Sequence, residues 1–357
     1  MKTLRDLYSI EQLPIFQNRM YDNEAEAIGC PKGDVRLVED METGLVYNAL
    51  FNPELMVYDA HYQNEQALSP LFQDHLKCVA EIVEQSMGRD GLVEVGCGKG
   101  YFLEKLLEKG IDIIGFDPAY EGTNSRIESH YFESALGIKA NGIILRHVLE
   151  HIQDPFDFLV QLKEANGGSG LIYIEVPDFD WICSRRAWFD IFYEHVNYFR
   201  RENFYRMFGN VIDSGAVFGD QYLYVVADLS SLRQPEYDSL HTVEFPNDFL
   251  CCLEGENRAE QCRTAQNQQA IWGGASKGVI FSLLKKREGI SINTVIDINP
   301  AKQGKYLPAT GLKVSSPADA LLTLVSGSTI WVMNSNYLQE IKNMTGNTFN
   351  YRCIDNE

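Results

Sequence analysis

A run of glycines with a carboxylate just before it has the residue types and spacing of a ligand-binding turn. Glu94 is followed by glycines at positions 96, 98 and 100. A dinucleotide turn needs glycines at its first, third and sixth positions, and the sixth position counted from Gly96 is Tyr101. Glu94 would repel a pyrophosphate and attract an ammonium group. S-adenosylmethionine carries an ammonium and a sulfonium but no phosphate. We therefore expect it as the cofactor, bound by Glu94, Gly96, Cys97, Gly98 and Gly100.

Four positions elsewhere could complete that cofactor site. Asp117 ends the next predicted strand, where its carboxylate could accept hydrogen bonds from a ribose diol; a solvated aspartate at a strand end is the alternative. Arg146 and His147 close a later strand, where the methionine part would lie. Tyr62 lies in an aromatic N-terminal stretch, which could be a lid over the site or an arm packed on the core.

The spacing of His147 and His151 also suits a metal ion, because two imidazoles four residues apart on a helix can coordinate the same ion. Glu150 is not in the position that the H-E-x-x-H motif requires, and no third ligand is evident. Structural or cofactor contacts are the better interpretation, and we predict no metal site.

The densest group of reactive side chains is Tyr193, Glu194 and His195, within the aromatic segment 190–199. The ordinary pKa of about 6.5 lets a histidine accept a proton near neutrality, so His195 could act as a general base. Glu194 and Tyr193 could orient the imidazole or polarise a carbonyl group. A histidine that only packs within an aromatic segment is the alternative.

Alternating strands and helices must position these residues. Short apolar runs predict strands, and amphipathic spacing predicts helices. The strands are expected over 92–95, 112–117, 127–133, 141–148, 170–177 and 221–227, and the helices over 70–87, 101–109, 154–165 and 203–208. This βαβα order predicts a parallel, Rossmann-like sheet with ligands at the carboxyl ends of its strands.

A second βα unit begins at residue 269, after a linker over 230–246 and a polar helix over 247–269. Its glycine turn includes Gly274 and Ser276 and precedes Lys277. Backbone N–H groups at a helix start, together with a lysine, suit a phosphate; a turn without a ligand is the alternative. We expect an irregular N-terminal arm or lid (1–68), a cofactor-binding domain (69–230) and a smaller α/β domain (247–357).

Composition limits the function classes. The chain has 357 residues, 45% hydrophobic and 23% charged, which fits a globular protein of two or three domains. Its net charge of −19 argues against nucleic acid or an anionic membrane surface as a partner. No apolar run reaches the roughly 18–20 residues of a membrane span, and no signal-peptide pattern opens the sequence. The eight cysteines are scattered, so we expect reduced thiols and a cytoplasmic location.

Five segments together make the chain resemble the sugar C-methyltransferases, which methylate nucleotide-linked 4-keto deoxysugars. The segments are 94–100, 146–151, 193–199, 272–278 and 297–308. The resemblance implies that the middle domain binds S-adenosylmethionine and that the C-terminal domain helps to hold the nucleotide diphosphate of a small-molecule substrate. It further implies that His195 removes the proton alpha to the ketone, assisted by Glu194, and that the enolate attacks the methyl group.

Two features depart from that family. Its members commonly open with a four-cysteine zinc module, yet Cys30 is the single cysteine in this N-terminal region. A tyrosine commonly stands two positions before the Glu-His pair, and here that position is Phe192. O- or N-methylation of another small metabolite therefore stays open as the alternative activity.

Overall fold

A computed structural model describes residues 3–56, 67–250 and 268–355. The predicted lid residue Tyr62 and most of the predicted helix over 247–269 lie outside these ranges. The strands are β1 (Leu4–Pro14), β2 (Lys32–Asp40), β3 (Val46–Asn48), β4 (Leu92–Val95), β5 (Ile113–Phe116), β6 (Ile127–Glu128), β7 (Gly142–Arg146), β8 (Leu171–Pro177), β9 (Asn197–Tyr198), β10 (Val211–Val217), β11 (Tyr222–Asp228), β12 (Gln269–Trp272), β13 (Thr294–Ile296), β14 (Val314–Ser315), β15 (Thr329–Val332) and β16 (Asn350–Cys353). The α-helices are α1 (Glu24–Ile28), α2 (Pro70–Met87), α3 (Tyr101–Glu108), α4 (Pro155–Ala165), α5 (Phe179–Ser184), α6 (Arg201–Met207), α7 (Lys277–Arg287), α8 (Pro317–Thr323) and α9 (Leu338–Met344).

The central sheet has seven strands in the order β10-β11-β8-β7-β4-β5-β6. The five strands from β8 to β6 are parallel, and β11 and β10 add antiparallel strands at one edge. The chain order reverses between β4 and β7, and ligands bind at such a switch point, beyond the carboxyl ends of the strands. This confirms the predicted Rossmann-like fold.

The N-terminal region is more regular than the sequence suggested. β1, β2 and β3 form an antiparallel sheet that β9 completes from the middle of the chain. In β1, exposed and half-buried residues do not alternate strictly, and two register shifts interrupt its pairing with β2. These irregularities explain why its periodicity is weak. Because β9 follows His195 by one residue, this sheet supports the segment with the predicted base.

A third sheet, of five parallel strands in the order β14-β13-β12-β15-β16, occupies the C-terminal part. Its chain order also reverses at the first strand, β12, so a second switch point lies beside the glycine turn after Trp272. One hydrophobic cluster contains Leu13 of the first sheet, Phe192 of the predicted catalytic segment and Phe281 of α7. The first sheet and the C-terminal part therefore share buried apolar contacts. Within the described residues, the helices are too short or too polar to cross a membrane.

Candidate active site

A cavity of about 430 Å³ lies between the switch points of the central and the C-terminal sheet. The central sheet contributes Glu94, the glycine turn and the residues after β7. The C-terminal sheet contributes its own glycine turn, Asp297 and Lys302. His195 and Glu194 line the same cavity, so most of the predicted site residues lie around a single space.

The turn between β4 and α3 depends on glycine backbones. Gly96, Gly98 and Gly100 have φ angles of 72°, 55° and 81°. Residues with a Cβ atom rarely adopt such positive φ angles. A Cβ on Gly100 would lie 2.2 Å from Cδ1 of Ile127, whereas a Cβ on Gly98 would meet no atom within 4 Å. Asp117 accepts a hydrogen bond from the Gly98 backbone N–H at 2.8 Å. The Asp117 carboxylate thus stabilises the turn through this hydrogen bond. Asp117 itself is not among the residues that line the cavity.

Glu94 is a buried carboxylate with one unpaired oxygen atom. It lies on the buried strand β4, and its Oε2 has no hydrogen-bond partner among the described residues. Burial raises the pKa of Glu94 to about 7, although the Arg146 guanidinium opposes the shift. A positively charged donor would stabilise the ionised form. An ammonium group is one cation of this kind.

Glu175 in β8 is the opposite case, because four side chains saturate its carboxylate. It accepts hydrogen bonds from Arg146 at 3.1 and 3.3 Å, from Tyr173 at 2.8 Å, and pairs with His75 and His147 at 3.1 Å. Burial opposes ionisation, but Arg146 and the histidines hold the pKa of Glu175 well below its usual range. Glu175 was not predicted from the sequence. A carboxylate inside an apolar strand was the available signal.

His147 bridges two carboxylates. Its Nδ1 lies 3.2 Å from Glu150 and its Nε2 lies 3.1 Å from Glu175. Burial opposes the charge, but the bonds to Glu150 and Glu175 raise the pKa of His147 to about 9. Because both ring nitrogens are bonded to carboxylates, His147 cannot pair with His151 on one metal ion in this conformation.

His195 is half-buried at the wall of the cavity, and its Nδ1 has no partner among the described residues. Burial, together with the nearby His151 and His147, holds the pKa of His195 well below its usual range. Its ring packs edge-on against Phe192 and His151, with centroids 4.8 and 4.9 Å away. The Glu194 carbonyl oxygen lies 2.9 Å from Nδ1 of His151, and its carboxylate accepts from the Gln17 backbone N–H at 3.3 Å.

Tyr193 points away from this space. Its hydroxyl accepts a hydrogen bond from the Asn52 backbone N–H at 2.9 Å, and its ring packs on Phe51. The ring also lies against Gly33 of β2, where an added Cβ would come within 2.3 Å of it. Tyr193 therefore anchors the His195 segment to the N-terminal sheet.

The predicted phosphate-binding residues have protein partners. The Gly274 backbone N–H donates to Asp297 at 2.9 Å, and the Ser276 backbone N–H donates to the Gln17 carbonyl at 3.2 Å. Two N–H groups of the turn are therefore bonded within the protein. Lys277 Nζ lies 3.0 Å from the Asp190 carboxylate. Lysine has three N–H donors, and Lys277 also donates to Gln221 at 2.9 Å.

The sequence of residues 63–211 matches the family model of a methyltransferase domain. That range contains the glycine turn, Glu94, Glu175 and His195. The chain thus carries a methyltransferase domain, and its cofactor is S-adenosylmethionine. No curated protein sequence matches the chain.

Solved methyltransferases resemble part of this methyltransferase. One from Archaeoglobus fulgidus is 18% identical, with 46% of this chain and 100% of that chain covered and a TM-score of 0.35. The 1,6-didemethyltoxoflavin-N1-methyltransferase of Burkholderia thailandensis is 15% identical, with 47% and 82% covered and a TM-score of 0.34. Magnesium protoporphyrin IX methyltransferase of Synechocystis is 13% identical, with 44% and 78% covered and a TM-score of 0.32. Similarities of this size carry no argument about the substrate.

Proposed function

We propose that this methyltransferase is a cytoplasmic enzyme that methylates a carbon atom of a nucleotide-linked keto-deoxysugar. The observation that carries the proposal is the shared cavity, which is lined by the cofactor turn, by His195 and by Lys277 and Lys302 of the C-terminal α/β part. In a substrate with a reactive sugar at one end and a diphosphate at the other, the sugar would lie beside His195 and the diphosphate beside the two lysines. The resemblance of the sequence to the sugar C-methyltransferases supports the same substrate class.

Each part of the cofactor has a proposed partner. S-adenosylmethionine supplies an electrophilic methyl group when it is bound. The Glu94 carboxylate would hold the ammonium group, since Oε2 lacks a hydrogen-bond partner in the part of the chain that the structure describes. Asp117 would accept from the ribose hydroxyls with the lone pairs that its bonds from the Gly98 and Ala119 backbone N–H groups leave over. Arg146 and His147 would lie near the methionine carboxylate, held in place by Glu175.

His195 is the proposed base. Its ring stands in the cavity wall, where a substrate C–H can approach the imidazole. The buried Nδ1 has no hydrogen-bond partner among the described residues. The proton alpha to the ketone moves to His195, and the resulting enolate carbon takes the methyl group. Glu194 assists as the buried carboxylate next to the base, and Tyr193 acts as an anchor. The chain contributes mainly positioning and proton removal.

On the substrate side, Lys277 and Lys302 are the proposed diphosphate partners. Lys277 reaches the cavity from the start of α7, and Lys302 Nζ lies 3.3 Å from Asp297. A diphosphate would compete with Asp190 and Asp297 for the two ammonium groups. Gly274 and Ser276 would shape the turn around it.

Phe192 favours a second candidate activity. It lines the cavity beside His195 and offers no hydroxyl to polarise a ketone. In that case His195 would deprotonate a hydroxyl or an amine of another metabolite, and the product would carry an O- or N-methyl group.

Deuterium exchange separates these activities. Nucleoside diphosphate 4-keto deoxysugars are incubated with the protein in heavy water without the methyl donor, and exchange alpha to the ketone is followed by NMR. We expect exchange with the wild type and none with His195→Ala, while both bind S-adenosylhomocysteine. His241→Ala, at a histidine paired with Asp238 outside the cavity, is the control and should exchange normally. Methylation of an oxygen or nitrogen without any exchange would overturn the carbon assignment.

A further inference from the structure

One cluster in the cavity wall has a ligand set that the sequence spacing did not indicate. Glu150, His151 and His195 each offer one ligand atom, and these three atoms lie within 4.8 Å of one another. Glu150 and His151 belong to the turn after β7, whereas His195 comes from the segment before β9. The fold therefore brings together residues that are 44 positions apart in sequence.

Two members of the cluster have unmet hydrogen-bonding capacity. Glu150 is 1% exposed, and its Oε1 is held by His147 while its Oε2 has no partner among the described residues. His195 Nδ1 likewise has none. A buried polar atom without a partner is unfavourable. His151 is oriented through Nδ1 by the Glu194 carbonyl oxygen, which leaves Nε2 as its ligand atom.

We propose that Glu150, His151 and His195 form a binding site for a divalent transition-metal ion. Two imidazoles and one carboxylate are the ligand set of catalytic zinc sites and of the facial triad that binds ferrous iron. Bond lengths of about 2.0–2.1 Å to zinc would draw the three atoms closer than they are now. Rotations of the side chains towards the cavity can supply this movement. The Glu194 carbonyl and His147 act as the outer partners that orient the ligands.

Occupancy of this site has a consequence for the proposed reaction. A ring nitrogen that coordinates a metal ion has no lone pair left to accept a proton. The ion would therefore compete with the substrate for His195 and inhibit carbon methylation. The binding itself does not depend on the proposed function; only the inhibition rests on it.

Binding is tested with metal-free protein and without substrate. Co²⁺ is titrated and followed by its visible absorption, and Zn²⁺ is titrated by calorimetry. We expect one saturable site per chain in the wild type. Glu150→Gln and His151→Asn should weaken the affinity at least by the roughly 10- to 100-fold that loss of an outer partner alone costs. His241→Gln removes a histidine paired with a carboxylate elsewhere and should bind like the wild type.

Three results would overturn the site. These are the absence of saturable binding, an unchanged affinity in both variants, or cobalt–thiolate charge-transfer absorption, which would assign the ion to a cysteine such as Cys97 in the same cavity. Thermal unfolding of each variant checks that it is folded. A bound ion that leaves carbon methylation unchanged would refute the inhibition but not the site. Absence of carbon methylation by the metal-free protein, with intact metal binding, would refute the proposed function alone.

Discussion

Replacement of Glu94 by glutamine should stabilise the protein and weaken cofactor binding at the same time. In the folded chain, burial raises the pKa of Glu94 to about 7 from its ordinary value of 4.5. The folded state therefore binds more protons than the unfolded state between these pH values. The stability that Glu94 contributes is fully present below about pH 4.5 and is lost as the pH rises through 7. At about 1.36 kcal/mol per pH unit, the loss amounts to about 3 kcal/mol.

Glutamine has nearly the same shape and carries no charge, so it mimics the protonated carboxyl group. Below pH 4.5 we expect Glu94→Gln to have the same free energy of unfolding as the wild type. At pH 8 it should exceed the wild type by up to about 3 kcal/mol. For the cofactor the sign reverses, because a hydrogen bond to a charged group contributes about 1.5–3 kcal/mol. The dissociation constant of S-adenosylhomocysteine should rise by about 10- to 150-fold.

The assays are urea unfolding at several pH values and calorimetric titration with S-adenosylhomocysteine. Glu108→Gln, at an exposed position on α3, is the matched control and should change neither quantity. A Glu94→Gln protein that is less stable than the wild type at pH 8 would refute the unpartnered state of Glu94. Unchanged cofactor affinity would refute its role as the ammonium partner.

Four other substitutions test the two glycine turns and Asp117. Gly100→Ala adds a Cβ 2.2 Å from Ile127 at a φ of 81°, and should lower the free energy of unfolding by about 2–4 kcal/mol; Gly98→Ala, with open space around it, should cost about 1–2 kcal/mol. Denaturant unfolding of the pair measures the difference, and equal losses would contradict the contact. Asp117→Ala should raise the dissociation constant of S-adenosylhomocysteine by about 10- to 100-fold through loss of charged hydrogen bonds, and an unchanged value by calorimetry would count against it. Gly278→Ala places a Cβ 2.0 Å from a backbone carbonyl oxygen of the C-terminal glycine turn; lower thermal stability is expected, and a wild-type melting temperature would show that the turn can move.

β6 is shorter than the strand predicted over 127–133, because it spans Ile127–Glu128. The other parallel strands of the central sheet could be predicted from sequence because each is a short, largely apolar run. The predicted helix over 70–87 matches α2 for a related reason: Ser69 caps it, Pro70 begins it and one face is apolar. β1 and β10 were not predicted. In β10, Val217 alone is fully buried, and the remaining residues are exposed or half-buried. Edge strands of this kind depend on pairing with a neighbour, which a local pattern does not contain.

The candidate site could be predicted only where function depends on a local motif. The glycine turn and the Glu-His pair are contiguous in sequence, and both line the cavity. The partners that decide their chemistry come from distant segments. His75 of α2 reaches Glu175 across 100 positions, and Gln17 reaches Glu194 across 177. Spacing alone could not predict that Tyr193 faces the N-terminal sheet while its two successors face the cavity.

Glu94 and Glu175 show why sequence cannot assign such residues by itself. Each stands in an apolar strand and precedes a valine, so local pattern makes them equivalent. In the folded chain four side chains saturate Glu175, whereas one oxygen of Glu94 has no partner among the described residues. Saturation makes Glu175 a fixed anion that positions Arg146 and His147. The missing partner gives Glu94 a reason to bind a cation from outside the chain. The chemistry of each carboxylate is thus set by what its neighbours leave unsatisfied.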